Sequence, residues 1–142
     1  MAISAFSVGR DTQLVIIGPS GQISLSYVVA FDSRQLTESV RVNGLDGNQM
    51  GMELPKGWEG SFELERGDST VEDFIASLEQ GYFNGSMNEF SSMYQYVSEI
   101  DGSTSTYQYN PVVFKLTNAG LWRGDASVKQ KLEFFASRRI RI

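Results

Sequence analysis

Residues 57–85 read GWEGSFELERGDSTVEDFIASLEQGYFNG, and they hold a strand, a tight turn and one helix. From Trp58 to Arg66 the side chains alternate. Trp58, Gly60, Phe62 and Leu64 fall on one face, and Glu59, Ser61, Glu63 and Glu65 on the other. A period of two is that of a strand with one buried and one wet face. Arg66-Gly67-Asp68 ends it. Ser69 with Glu72 three residues later has the spacing of a capping box, in which each side chain satisfies an orphan N–H of the first turn. Val71, Phe74, Ile75, Leu78 and Tyr82 then recur at helical spacing, so a helix over about 69–84 carries one apolar stripe. Gly85 is its expected stop. This is the one long helical pattern in the chain, and its stripe needs a sheet to lie on.

The flanking sequence supplies that sheet. Residues 12–18, 22–32, 35–42, 92–100, 104–116 and 126–137 read as strands, with a further short one at 121–124. Val128, Gln130, Leu132, Phe134 and Ala136 share a face in the last long one, opposite Lys129, Lys131, Glu133 and Phe135. Asp101-Gly102-Ser103 is a hairpin-type turn. Pro111 lies inside a strand pattern and implies a bulge or an edge position. Residues 22–42 suggest a hairpin broken at Ser33-Arg34. Residues 43–56 are punctuated by Gly44, Gly47, Gly51 and Pro55, and read as an extended loop that exposes Leu45, Met50, Met52 and Leu54. The expected class is mainly β: a two-sheet sandwich or partly open β-barrel with one flanking α-helix. Residues 1–142 suit one domain, with arms at 1–11 and 138–142.

Composition removes several chemistries. The chain has neither cysteine nor histidine. Disulfides, thiolate zinc sites, cysteine nucleophiles and histidine bases are therefore absent. The N-terminal residues lack a secretory pattern, no apolar run reaches membrane-span length, and folding in a cytoplasm is expected. The net charge of −5 is unevenly placed. Residues 123–142 hold six basic and two acidic residues, and residues 1–122 hold six basic and fifteen acidic. One reading is an acidic domain with a basic tail. The other is a head-to-tail assembler whose basic end meets an acidic face on its neighbour.

Motif matches are weak. Residues 51–57 lack the Gly-Lys-Ser/Thr of a phosphate loop. Arg-Gly-Asp occurs at 66–68 and 123–125, and both read as turns in which Asp bonds nearby N–H groups. Glu59, Glu63 and Glu65 form an acidic stripe of the kind that serves acid–base work or a hard cation, but on a strand it reads as a solvated face. No nucleophile, base and orienter assemble from these residues, so no enzyme, cofactor or metal is expected. The acidic body repels nucleic-acid phosphate.

Residues 120–139, GLWRGDASVKQKLEFFASRR, resemble the end of tail tube proteins of contractile-tailed bacteriophages. Residues 57–66 plus the following helix resemble the strand-then-helix segment of the same family, which is related to type VI secretion and contractile bacteriocin tube proteins. The resemblance implies a barrel-like fold with a flanking helix, and hexameric rings stacked into the inner tail tube, a conduit for the genome. It implies partners: further copies of the chain, a sheath outside, the tape-measure protein and then genomic DNA in the lumen, and a baseplate and tail terminator at the ends. A baseplate tube initiator, or a secretion-system or bacteriocin tube subunit, is the alternative. Localisation would be the virion tail, after assembly in the host cytoplasm. By the same analogy Leu45, Met50, Met52 and Leu54 would stack on the next ring. Phe6 and the end residues Arg138, Arg139, Ile140, Arg141 and Ile142 would bridge subunits. Glu38 and Arg41 of the 22–42 hairpin would line the lumen.

Overall fold

The computed structural model describes residues 9–18, 21–25, 28–85 and 91–142. A 3-10 turn at Gly9–Asp11 leads into β1 (Thr12–Gly18), β2 (Gly21–Ser24), β3 (Val28–Asn43) and β4 (Gln49–Glu65). Helix α1 (Thr70–Phe83) follows, then β5 (Ser91–Ser98), β6 (Thr104–Asn118) and β7 (Lys129–Arg141). The strands form one antiparallel sheet in the order β2-β1-β5-β6-β7-β4-β3. The fold is thus mainly β with a single flanking helix, and its sheet is curled but not closed.

The curl is visible in the aromatic core. Phe31 on β3 stacks on Phe134 of β7 at 5.8 Å, and meets Tyr109 of β6 edge-on at 6.4 Å. Neighbouring strands lie about 4.8 Å apart, so ring contacts across three strands need a strongly coiled sheet. Tyr109 also donates its hydroxyl proton to Ser33 Oγ on β3 (3.1 Å). Phe62, Leu64, Leu132, Phe134 and Ala136 are buried, as the alternation in β4 and β7 predicts. Helix α1 lies over this core. Phe74 packs edge-on against Phe114 at 5.6 Å. A side chain at Gly18 would run into the Phe74 ring, so glycine at the end of β1 makes room for the helix.

Four local expectations change. First, residues 22–42 are not a hairpin: β3 runs unbroken through Ser33-Arg34, and its partner is β4. Second, the extended loop expected at 43–56 shrinks to 44–48, because β4 starts at Gln49. Gly44 and Gly47 fall in that turn, but Gly51 and Pro55 do not break the strand. Past the body it has only one neighbour, so a missing N–H or side chain goes unfelt on its free edge. Third, 121–124 is loop rather than strand, and residues 138–141 pair with Tyr107–Asn110 of β6 instead of forming a free arm. Fourth, Ser69 makes no side-chain cap. Asp68 Oδ1 accepts the Thr70 N–H (3.0 Å), while Glu72 accepts from Arg66 and Gln130. Pro111 does mark a bulge: two residues of β6 lie between Tyr109 and Val112 where one of β5 lies between Ser91 and Met93.

Candidate assembly surfaces

One exposed apolar surface is the far half of the β3–β4 hairpin. β4 pairs with β7 only from Trp58 to Glu65. Residues 37–43 and 49–55 pair only with each other, so they leave the body as a two-stranded arm about 20 Å long. A bulge marks the departure: Leu36 pairs with Gly57 but Thr37 with Pro55, leaving Lys56 extra. Gly57 there has φ +123, a conformation that disfavours side chains, and a Cβ would strike the Ala136 carbonyl oxygen at 2.9 Å.

Cross-strand pairs Val40–Met52 and Val42–Met50 put four apolar side chains on one face of the arm, in line with Leu54. All four are exposed, Met50 at 66% and Met52 at 61%, and Leu45 stands free at the tip. The structure thus brings Leu45, Met50, Met52 and Leu54 to one projecting element. It separates Glu38 and Arg41. Their odd spacing puts them on opposite faces of β3, and Glu38 pairs with Lys56 at 3.2 Å. On the other face the Glu53 carboxyl is held below its usual range, first by the Ser39 hydroxyl, which donates to it at 2.6 Å.

The end residues are also placed. Arg139 lies over the rings of Tyr107 (3.8 Å), Trp58 (4.8 Å) and Tyr109 (5.8 Å). Its charge therefore faces π surfaces rather than a carboxylate. Arg141 donates to Ser105 Oγ, and the Ile142 N–H to the Thr106 carbonyl. Phe6 lies outside the described residues.

The outward face of β3, β4, β7 and β6 is charged. Arg34 Nε donates to Glu59 (2.8 Å), Glu63 stands opposite Lys131, Glu65 opposite Lys129, and Lys115 opposite Glu133. The acidic stripe read in β4 is therefore half of a mixed lattice. A shallow groove of about 400 Å³ crosses this face between Arg34, Glu59, Lys115 and Phe135. Among the described residues no group of three acidic side chains is arranged to hold a metal. Two sheet edges, on β2 and β3, have no strand beside them among the described residues. That of β3 is sixteen residues long, a template for strand addition.

Sequence reasoning did not find the loop between β6 and β7. Its Trp122 is 65% exposed yet held from below by the Arg66 guanidinium, 5.0 Å from the ring centroid. Arg66 donates in turn to Glu72, and this bond is the main cause of a Glu72 carboxyl below its usual range. Buried Gln130 ties the same corner together, donating to Glu72 (2.9 Å) and to the Ala119 carbonyl (3.1 Å). The signal was a Leu-Trp pair inside a run read as strand.

These features of fold recur in solved structures. The chain is similar, at 11% identity with a TM-score of 0.67, to a chain of the sheath-tube complex of an extracellular contractile injection system in its extended state. The alignment covers 99% of this chain and 93% of that one. This is a tail-tube-like fold. A chain of the sheath/tube terminator of the same kind of system matches equally well, at 12% identity, TM-score 0.67 and 99% of both chains. A chain of a native gene transfer agent particle follows at 13% identity and TM-score 0.54, covering 96% of this chain and 99% of that one. No protein-family profile matches, and no curated protein matches.

Proposed function

We propose that this chain is a structural subunit of the inner tube of a contractile tail, assembling as rings of six that stack head to tail. The reading is supported most by the end-to-end likeness to the sheath-tube complex chain, together with an arm and a long sheet edge that the isolated subunit leaves uncovered. The free edge of β3 would take a strand of the next subunit round the ring, closing the sheets into one wall and removing the edge. The arm would cross to the next ring. A sheath would enclose the tube, a tape-measure protein and then genomic DNA would occupy the lumen, and a baseplate and terminator would bound its ends. The site of action would be the virion tail, after assembly in the host cytoplasm. The chain would act by shape and self-association, without catalysis.

A second reading, an end component of the tube, is favoured by the equal likeness to the terminator chain. Negative-stain electron microscopy of the purified chain over a range of concentration and salt separates the two. Hollow filaments with six-fold end views are expected of a tube subunit. Single rings that never lengthen would indicate the end component. A monomer under all conditions, also when mixed with a preformed baseplate, would sink both.

A further inference from the structure

The chain holds four pairs of an asparagine or aspartate followed by glycine: Asn43-Gly44, Asp46-Gly47, Asn84-Gly85 and Asp101-Gly102. The tube reading uses none of them. Such a pair carries its own chemistry. The backbone nitrogen of the glycine can attack Cγ of the preceding side chain, and glycine has no Cβ to block the approach. For asparagine the new N–Cγ bond closes an imide ring, the Cγ–Nδ2 bond breaks, and the amide leaves as ammonia with the proton of the backbone nitrogen. Water then opens the ring at either carbonyl, giving aspartate or isoaspartate. Water is the one co-reactant.

All four attacking nitrogens are engaged in the fold. Gly44 donates to the Asn48 carbonyl (2.7 Å), Gly47 to that of Gly44 (3.1 Å), Gly85 to that of Tyr82 (3.1 Å) and Gly102 to that of Glu99 (3.1 Å). A nitrogen whose proton is held in this way must give up the bond before it attacks. The rate at each pair is then set by how easily its turn opens.

The turns are not held alike. At the tip of the β3–β4 hairpin Asp46 Oδ1 accepts the Asn48 N–H (3.0 Å), and Oδ2 accepts from the Asn48 side-chain amide (2.9 Å). Freeing the Gly44 nitrogen therefore breaks several bonds together. Asp101 Oδ1 accepts from the Ser103 hydroxyl (2.6 Å) and N–H (2.9 Å). These bonds, the hydroxyl first, hold its carboxyl below the ordinary range, and an ionised carboxylate is a poor electrophile. Asn84 has no such latch. It lies exposed just past the end of α1, and its side chain makes no hydrogen bond among the described residues. Gly81 weakens the last helical turn, and no basic residue stands there to meet the negative end of the dipole. Only the Asn84 N–H bond to Gln80 (3.0 Å) and the Gly85 bond to Tyr82 close this end, where helices fray.

We infer that Asn84 is the site at which this chain modifies itself, converting to aspartate and isoaspartate while the native turns guard Asn43, Asp46 and Asp101. The guard belongs to the fold: once unfolded, Asn43 and Asn84 stand in the same Asn-Gly sequence and react alike. The product puts a carboxylate at the C-terminal end of α1, where the dipole disfavours negative charge. Isoaspartate also lengthens the backbone beside Gly85, which is held at φ +91. Both loosen the helix end that carries exposed Tyr82 and Phe83.

The full chain, folded in buffer at mildly alkaline pH, is aged beside the same chain in concentrated urea. Isoelectric focusing counts the acidic product, and peptide mapping by mass spectrometry locates it. In urea Asn43 and Asn84 should convert at similar rates. In the folded chain Asn43 should slow about tenfold or more, and Asn84 by less than about threefold. Asn84→Gln should remove the early acidic band, because the longer side chain closes its ring slowly. The mapping reads the wild-type chain, so the outcome does not hang on whether that variant folds. Asn43 converting as fast folded as in urea would overturn the inference. So would an Asn84 slowed as much as Asn43, or an acidic band that forms at the wild-type rate in folded Asn84→Gln.

Discussion

The β3–β4 hairpin is one ribbon with two fates. In its near half Phe31, Phe62 and Leu64 sit in the core, because β7 flanks β4 and the curled sheet lays β6 and β7 over the same face. In its far half Val40, Val42, Met50 and Met52 alternate just as regularly and are exposed. Period two therefore specifies a strand and its apolar face, but not whether anything covers that face. Burial is decided by the third strand, and β7 lies beside β4 only over residues 58–65. The near half holds the subunit together, and the far half stays uncovered among the described residues.

Substitutions should separate the halves by size of effect. Phe134→Ala removes a ring that meets Phe31, Phe62 and Tyr109 and leaves a cavity between strands. It should lower unfolding free energy by about 3–5 kcal/mol in a urea titration. A loss under about 1 kcal/mol would mean that the near half is no better packed than the far one. Gly60→Ala is the next largest. The new Cβ would fall 2.0 Å from the Asp32 carbonyl oxygen, a backbone atom that cannot rotate away. Parting β3 from β4 at that point should cost about 1–3 kcal/mol. Gly51→Ala in the far half, where nothing lies closer than 3.9 Å, should leave the urea midpoint unchanged.

How much of this was legible in sequence follows from the same division. The near half of β4, α1 and β7 could be read because each alternation or helical stripe is complete within a dozen residues. The helix ended where Gly85 suggested, and Pro111 gave its bulge. The far half misled because Gly51 and Pro55 mark breaks in a strand with two neighbours, and this strand has one, whereas Gly44 and Gly47 do lie in the 44–48 turn. The basic end misled for a different reason. Residues 138–142 read as a basic arm, but the groups that hold Arg139 are Trp58, Tyr107 and Tyr109, brought together only by the fold. The capping box failed in the same way. The spacing of Ser69 and Glu72 was right, but Arg66 and Gln130 compete for the carboxylate, and Gln130 is fifty-eight residues away. Such signals are tertiary, and local spacing does not carry them.

The Glu72 corner sharpens the comparison through pH. Glu72 is held below the ordinary carboxylate range chiefly by the bond from Arg66, with Gln130 adding to it against some desolvation. A carboxylate whose folded pKa is depressed contributes stability that is fully present above its unfolded value, near 4.3. That contribution is lost as pH falls through the folded value. The urea midpoint of the wild-type chain should therefore drop between pH 6 and pH 3, and that of Glu72→Gln should drop less. Equal slopes for the two proteins would show that the Arg66–Glu72 bond contributes nothing to the fold. Because Arg66 also underlies Trp122, the same variant reports on the β6–β7 loop: indole fluorescence should shift if the stack loosens.

The smallest effect on the subunit is expected where the assembly effect is largest. Met52→Thr keeps a strand-compatible residue opposite Val40 and removes an exposed thioether from a surface with no strand behind it. Stability of the dissociated chain should stay within about 0.5 kcal/mol, as for other exposed positions without a partner. Filament length in electron micrographs should nevertheless shorten, because the lost apolar area matters only when another surface covers it. A Met52→Thr chain that unfolds several-fold more readily, yet assembles as well as wild type, would reverse the assignment. The far half of the hairpin would then be part of the subunit core, and the contrast between the two halves of one ribbon would disappear.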